Sequence, residues 1–161
     1  MIEGIVKQIN TNLDHSFKDK VLGIVYPVDN KGVKMPGERN GKTLFDAVPD
    51  SSKKSIVYWE EYGARKIDGT SRFARMAHNV RLIVWLNHKK LDTTTDACLE
   101  EMFRLVPRRI ANTTIRLVGR RTRDESLFQR YTYDEEKQYI TFPYDVFALD
   151  YEISYFLMKC K

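Results

Sequence analysis

The sequence predicts an α+β domain: a mostly antiparallel sheet packed by an N-terminal helix and a central helix, with a protruding β-arm. Three observations indicate this fold class. Residues 80–86 are apolar on both faces, as in a central strand. A helical pattern follows them after a polar turn, and a strand feeding a helix that folds back onto its sheet is typical of the class. Residues 146–158 alternate like a long antiparallel strand.

The bulk composition is that of one ordinary domain. A chain of 161 residues with 42% hydrophobic content fits a single domain, 1–161. The formal net charge of +5 is compatible with an anionic partner, although many proteins share it. No apolar run approaches the roughly 20 residues that span a bilayer, and the N-terminus lacks the features of a signal peptide. Cys98 and Cys160 predict free thiols in a reducing cytoplasm.

The chain starts with a helical pattern over residues 1–13. Its apolar side chains recur three or four positions apart, so they share one face of a helix. They are Ile2, Ile5, Val6, Ile9 and Leu13. After a polar connection, residues 21–28 read as one strand, whose Pro27 predicts an edge position or a bend at its end.

Residues 29–54 are rich in turn-forming residues and predict the protruding arm. Asn40-Gly41 is a strong hairpin signal because both residues tolerate positive φ. The limbs of the arm are then residues 33–39 and 42–48. A stretch of this length without a fold of its own is usually functional or disordered.

The middle of the chain predicts two strands and the central helix. Residues 55–62 read as a strand, residues 63–76 as a polar loop, and residues 80–86 as the central strand. The helix that follows is capped by Asp92 or by one of the threonines 93–95, and it stops before Pro107. Its expected apolar stripe consists of Ala97, Leu99, Met102, Phe103 and Val106.

The remainder of the chain predicts two further strands and a short helix. Residues 113–118 form a strand, and residues 124–131 form a short helix capped by Asp124. Residues 146–158 form a long antiparallel strand with one solvated face, because acidic and small residues alternate there with large apolar ones.

No pattern in the sequence predicts catalysis. His15, His78 and His88 have no partners at metal-ligand spacing, so we expect no metal and no cofactor. Gly41-Lys42-Thr43 does not complete a phosphate-binding loop, since Pro36 stands where that motif needs glycine. No nucleophile motif is present either. We therefore expect that the protein is not an enzyme and has no catalytic residues.

Arginine is concentrated between residues 103 and 123, a stretch without a single acid. The arginines are Arg104, Arg108, Arg109, Arg116, Arg120, Arg121 and Arg123. Cations near a helix C-terminus are favourable, which accounts for the first three but not for the last three. The stretch is either a solvated surface or one that faces an anion or a partner, since guanidinium groups suit phosphate and carboxylate. A non-specific nucleic-acid-binding module using residues 104–123 is the alternative function.

The order of elements resembles that of tail terminator (tail-completion) and neck proteins of long-tailed bacteriophages. Four stretches carry the resemblance: the N-terminal amphipathic helix, the strand–arm–strand region from GIVYPVDN to SIVYWEE, the strand HNVRLIVWLNHKKL with its helix, and the closing YITFPYDVFALDYEISYFL. The last is similar to closing strands found among phages and prophages of Bacteroides-like hosts. The resemblance covers most of the chain.

The resemblance implies a structural virion protein, assembled in the host cytoplasm, without contact with a membrane. Such proteins form a homo-oligomeric ring, a hexamer, that caps the tail-tube protein and joins the tail to the neck connector (stopper). DNA passes through the lumen, where non-specific phosphate contacts suffice.

Two sets of residues are expected to serve such a ring, because a ring needs a heterologous interface that closes on itself. The arm would reach a neighbouring subunit through Lys34, Met35, Arg39, Asn40, Gly41, Leu44 and Phe45. The DNA lumen or a partner would be faced by Arg108, Arg109, Arg116, Arg120, Arg121 and Arg123.

Overall fold

The structure is a computed structural model, and it describes residues 2–13, 19–30, 33–40, 43–46, 51–69, 73–122, 127 and 143–158. Within these ranges the chain forms two helices and nine strands. They are α1 (Ile2–Asn12), β1 (Lys20–Ile24), β2 (Tyr26–Asn30), β3 (Val33–Asn40), β4 (Thr43–Asp46), β5 (Ser55–Gly69), β6 (Phe73–Asn87), α2 (Thr95–Leu105), β7 (Arg109–Ile110), β8 (Thr113–Thr122) and β9 (Tyr144–Met158). The predicted α+β class is confirmed.

The main sheet is curled and mostly antiparallel, with the strand order β1-β5-β6-β9-β8-β7. Only the pairing of β1 with β5 is parallel among the described strands. The predicted central position of residues 80–86 is confirmed, because β6 pairs with β5 on one side and with β9 on the other. A second, three-stranded antiparallel sheet has the order β2-β3-β4.

The predicted N-terminal helix is confirmed as α1, whose apolar stripe is buried. Asn10 joins α1 to the main sheet by two hydrogen bonds. Its side-chain amide donates to the Leu22 carbonyl of β1 at 2.9 Å. Its side-chain oxygen accepts from the Trp59 indole N–H of β5 at 2.8 Å. One polar residue of the helix therefore fixes α1 against two strands.

The central helix is confirmed as α2, and one of the proposed caps is the actual one. The Thr94 hydroxyl accepts a hydrogen bond from the Ala97 amide at 3.2 Å, satisfying a backbone donor of the first turn. The predicted apolar stripe is only partly correct. Ala97 is exposed and Phe103 is half-buried, whereas Cys98 is buried beside Leu99 and Met102.

Both faces of the main sheet carry a hydrophobic cluster. The larger cluster combines residues of α1 and α2 with strand residues such as Trp59, Leu82 and Phe147, all fully buried. The opposite face has a smaller cluster, which consists of Leu22, Val25, Ile56, Tyr58, Ile83, Trp85, Leu127, Val146 and Ala148. The expectation that β9 has one solvated face is therefore wrong over its first half. On that face, Val146 and Ala148 are buried in the smaller cluster, whereas Asp150 and Glu152 farther along the strand are half-buried.

Two other expectations are wrong. Residues 63–76 are not a loop, because β5 and β6 stay paired as far as Gly69 and Ala74. Residues 21–28 are not one strand, because β1 of the main sheet ends at Ile24 and β2 of the second sheet begins at Tyr26. Between them, the Val25 amide still donates to the Trp59 carbonyl of the main sheet at 2.8 Å. In addition, the predicted strand 113–118 continues to Thr122. The predicted helix 124–131 lies outside the described residues except for Leu127, which is buried.

The predicted arm region forms paired strands. In the pairing of β3 with β4, Asn40 is opposite Thr43, so residues 41 and 42 connect the two strands. Those two residues lie outside the described part of the chain. The region also includes the end of β2, which pairs with β3 up to Asn30 and Val33.

Candidate functional site

The arginine-rich stretch is divided between two faces of the main sheet by a β-bulge in β8. The register of β8 against β9 shifts between Leu117 and Gly119, so Val118 is an extra residue. Without it, Arg116 and Arg121 would lie on opposite faces, because five positions separate them and strand side chains alternate. With it, both lie on the face of Asp150, and Arg120 lies on the face of α2.

Glu152 is held between two arginines on the face opposite α2. Arg65 from β5 donates to it at 2.9 Å, and Arg116 from β8 donates at 3.1 Å. Both arginine side chains are about two-thirds exposed, at 65% and 64%, whereas that of Glu152 is 16% exposed. The hydrogen bonds from Arg65 and then Arg116 lower the pKa of Glu152, so it stays ionised. Two exposed cations thus cover one recessed anion.

Asp150 is the centre of a second group on the same face. Arg81 contacts both of its carboxylate oxygens, at 2.5 and 3.1 Å, and Arg121 donates at 2.8 Å. Burial raises the pKa of Asp150, but the hydrogen bonds from Arg81 and Arg121 outweigh it and leave the pKa below its ordinary value. The Arg81 guanidinium also lies over the Tyr62 ring at 4.8 Å and donates to the Leu127 carbonyl at 3.0 Å.

Arg120 belongs to a different environment, between β8 and α2. Its guanidinium lies over the Phe103 ring at 4.5 Å, and it forms an ion pair with Glu100 at 2.7 Å. Three of the six arginines predicted to face DNA or a partner are therefore paired with carboxylates of this chain, since Arg116 and Arg121 also have such partners. Their positive charge is partly compensated within the subunit.

Arg108 and Arg109 do not join these groups. Arg108 and Arg109 are exposed at the end of α2 and in β7, where the Arg109 side chain donates to the Ala111 carbonyl at 3.2 Å. Arg123 lies outside the described residues. The structure thus places Arg116 and Arg121 on one face of the sheet, in two ion-paired groups, whereas Arg120 lies on the other face.

A groove of about 1240 Å³ runs between α2 and β8. Phe103, Val106, Pro107, Ile115, Leu117 and Tyr151 give it an apolar lining. Charged residues at its border are Glu100, Glu101, Arg104, Arg108 and Arg116. The groove therefore combines an apolar interior with a rim on which both signs of charge occur.

Tyr151 gives this groove an unusual feature. It is 4% exposed, and within the described residues its hydroxyl has no hydrogen-bond partner. Its ring lies 6.1 Å from that of Trp59 in the larger cluster. Burial raises the pKa of Tyr151 well above its ordinary value, so the hydroxyl keeps its proton and is a donor at neutral pH. A buried hydroxyl without a partner is rare, because it costs about 1–3 kcal/mol.

A third polar group joins β5, β6 and β9 at the border of the larger cluster, to which Tyr155 belongs. His78 Nδ1 is 2.5 Å from a Glu61 carboxylate oxygen, and His78 Nε2 is 2.8 Å from the Tyr155 hydroxyl. Burial and then the charge of Glu61 raise the pKa of Tyr155. A phenol that is harder to deprotonate is a poor nucleophile, so the arrangement is better suited to joining three strands than to nucleophilic chemistry.

The residues predicted for an inter-subunit arm lie on the three-stranded sheet. Lys34, Met35, Arg39 and Asn40 are in β3, and Leu44 and Phe45 are in β4. Gly41 lies outside the described residues. The register places Arg39 opposite Leu44 and Glu38 opposite Phe45.

Sequence reasoning missed the carboxylates and the tyrosine that organise these surfaces. Asp150 and Glu152 stand two positions apart in a strand, which is a readable sign that they share a face. Their arginine partners are distant in sequence, however, so no spacing could identify them. Nothing in the sequence distinguishes the unpaired hydroxyl of Tyr151 from that of any other core tyrosine.

In the described ranges, no three His, Cys, Asp or Glu side chains come together as a potential metal site. Neither α1 nor α2 is long and apolar enough to cross a membrane. No protein-family model matches the chain, and no curated protein matches it in sequence.

Proposed function

We propose that this chain is a structural virion subunit, a tail terminator or neck protein of a long-tailed phage. It would form a homo-oligomeric ring, a hexamer, that caps the tail tube and joins the tail to the neck connector. It would act in the virion after assembly in the host cytoplasm, without cofactor or catalysis.

The observation that carries this proposal is the insertion of a separate small sheet into the main one. The chain leaves the main sheet after β1, forms the sheet β2-β3-β4, and returns to pair β5 parallel to β1. The main sheet is complete without the small sheet, so the fold of a compact subunit does not require the small sheet. A sheet of this kind is well suited to reach another subunit, and a ring requires an element that engages a neighbour in a head-to-tail manner.

The charge arrangement favours this role over a dedicated nucleic-acid-binding module. Arg116, Arg120 and Arg121 each form an ion pair within the subunit. A phosphate that bound them would have to compete with carboxylates already in place. Contact with passing DNA remains compatible with the exposed Arg65 and Arg116, because a conduit needs only weak, non-specific contacts.

Native mass spectrometry of the full chain over a range of concentrations tests the proposal. We expect one closed oligomer, with negative-stain microscopy showing a ring with a central channel. A chain that remains monomeric at every concentration, also after mixing with a tail-tube protein from the same genome, contradicts it.

DNA binding by the monomer tests the alternative function. The nucleic-acid-binding hypothesis predicts an affinity that falls steeply with salt and is lost when Arg120, Arg121 and Arg123 are changed to serine. Under the ring hypothesis, the same triple variant has little effect on the weak DNA binding of the monomer.

A further inference from the structure

The volume of the groove between α2 and β8 indicates the size of its occupant. Pockets for small molecules have volumes of about 300–1,000 Å³. The groove, at about 1240 Å³, is larger than this range. Its walls are a helix and a strand, as in grooves that accept a polypeptide segment. Size therefore favours a segment of protein over a metabolite.

The buried hydroxyl of Tyr151 indicates one chemical requirement of that segment. This side chain lines the groove and is protonated at neutral pH, yet no described residue accepts its hydrogen bond. The hydroxyl itself is buried, so a ligand oxygen can accept its hydrogen bond only if side chains lining the groove shift. That contact would remove the cost of the unpaired donor. The occupant must therefore carry an acceptor beside an apolar anchor.

The rim supplies a second requirement. Arg104 and Arg108 have no ion-pair partner within the described part of the chain. The other charged residues of the rim already interact within the chain: Glu100 binds Arg120, Arg116 binds Glu152, and Glu101 also has a partner. The unmatched charge at the rim is therefore positive on these two side chains. An occupant with a carboxylate next to its apolar anchor is complementary to this arrangement.

We propose that the groove binds the β4 segment of a neighbouring copy of this chain, Thr43–Asp46, with the sequence TLFD. This inference rests on the proposed ring and names the contact that closes it. The segment has two large apolar residues, Leu44 and Phe45, followed by the acidic Asp46. Its strand is at the edge of the three-stranded sheet, hydrogen-bonded to β3 on one side. Phe45 or Leu44 would fill the apolar interior, a segment oxygen would accept from Tyr151, and Asp46 would meet Arg104 and Arg108.

Charge reversal with rescue tests the assignment on the full chain. We expect Arg104→Glu with Arg108→Glu to weaken ring formation at least tenfold in native mass spectrometry, and Asp46→Lys to do the same. Combining all three changes should restore the ring, because the opposite charges meet again. Lys89→Glu with Lys90→Glu is the matched control, since it reverses two exposed cations that do not line the groove.

Tyr151→Phe distinguishes a role of this hydroxyl in association from a role in the stability of the subunit. It should weaken association about fivefold, the effect of one net hydrogen bond. The thermal midpoint of the dissociated subunit should stay the same or rise, because the change removes an unpaired buried hydroxyl. A lower midpoint with unchanged association contradicts the role assigned to Tyr151.

The possible failures are distinguishable. If the groove variants leave ring formation as intact as the Lys89→Glu/Lys90→Glu control does, the groove contact is wrong and the ring proposal is unaffected. Weakening by the arginine reversal without rescue by Asp46→Lys overturns the choice of Thr43–Asp46 as occupant. A wild-type chain that never associates overturns both the ring and this contact.

Discussion

Asp150 shows how a single carboxylate can become indispensable to a sheet. Arg81 is only 3% exposed, and it lies beside a sheet face that is otherwise largely apolar. A guanidinium in that position is tolerated because Asp150, the Tyr62 ring and the Leu127 carbonyl surround it. The pair need not add stability compared with an apolar pair of the same shape, but losing one partner leaves a buried charge.

We therefore expect Asp150→Asn to destabilise the fold by about 3 kcal/mol at neutral pH, measured by urea denaturation. The matched control is Glu152→Gln, for which we expect about 0–1 kcal/mol, because its partners Arg65 and Arg116 are mostly exposed. Equal losses in the two variants would show that burial of Arg81 is not what makes Asp150 important.

The same pair predicts a pH dependence whose sign follows from the lowered pKa of Asp150. The folded state binds the proton less readily than the unfolded chain, whose aspartates titrate near pH 3.9. The contribution of Asp150 is thus fully present above that value and is lost as pH falls through the folded pKa. Urea denaturation between pH 7 and pH 3 should show a smaller loss of stability in Asp150→Asn than in wild type. Parallel curves would contradict this linkage.

At the scale of elements, Asn10 is the point at which α1 is tied to the sheet. Changing it to alanine leaves the fully buried Trp59 indole N–H without its acceptor and the Leu22 carbonyl without one donor. We expect a loss of about 1–3 kcal/mol in unfolding free energy. Thr11→Ala is the control, because its exposed hydroxyl donates to the Gln8 carbonyl within the helix and has no other hydrogen bond among the described residues. Equal effects would mean that α1 is held by its apolar stripe alone.

The elements that the sequence predicted correctly are those in which hydrophobic burial determines the structure. The stripe of α1, the cap of α2 and the apolar residues of β6 each leave a periodic or positional pattern. The continuation of β5 and β6 beyond the core leaves none, because it is held by backbone pairing and by polar contacts such as that of Arg65 with Glu152. Polar residues such as Arg65 and Asp68 remain exposed there. Hydrophobic periodicity identifies strands that bury a face, so it does not detect paired strands whose side chains stay exposed.

The candidate site was predictable only in its composition. Seven arginines in a short stretch identify a basic segment, but the extra residue Val118 decides which of them share a face. The one-residue bulge results from the pairing of β8 with β9, and no local sequence motif predicts it. The groove depends on the packing of α2 against β8 and β9, which sequence patterns do not fix either.

For the whole molecule, this topology gives a stable centre and, on the outer side of β8, an edge that is open among the described residues. β6 and β9 are paired on both sides, and both faces of their central residues are buried. On the outer side of β8, β7 pairs only with Thr113 and Thr114, and the Ile115 amide donates to the Arg108 carbonyl. Beyond Ile115, that side has no partner strand among the described residues.

Native-state hydrogen exchange should report this difference directly. Amides of β6 and β9 around Leu82 and Leu149 should exchange only through global unfolding, because local opening would expose a core on both faces. The Leu117 amide should exchange orders of magnitude faster in the monomer, since alternation along β8 directs it outward like that of Ile115. Asn10→Ala is the control, because it should accelerate Leu82 and Leu149 in proportion to its loss of stability and leave Leu117 unchanged. If the Leu117 amide instead exchanges as slowly as the Leu82 amide in the monomer, another part of the chain covers the outer side of β8, and that side is not an open edge.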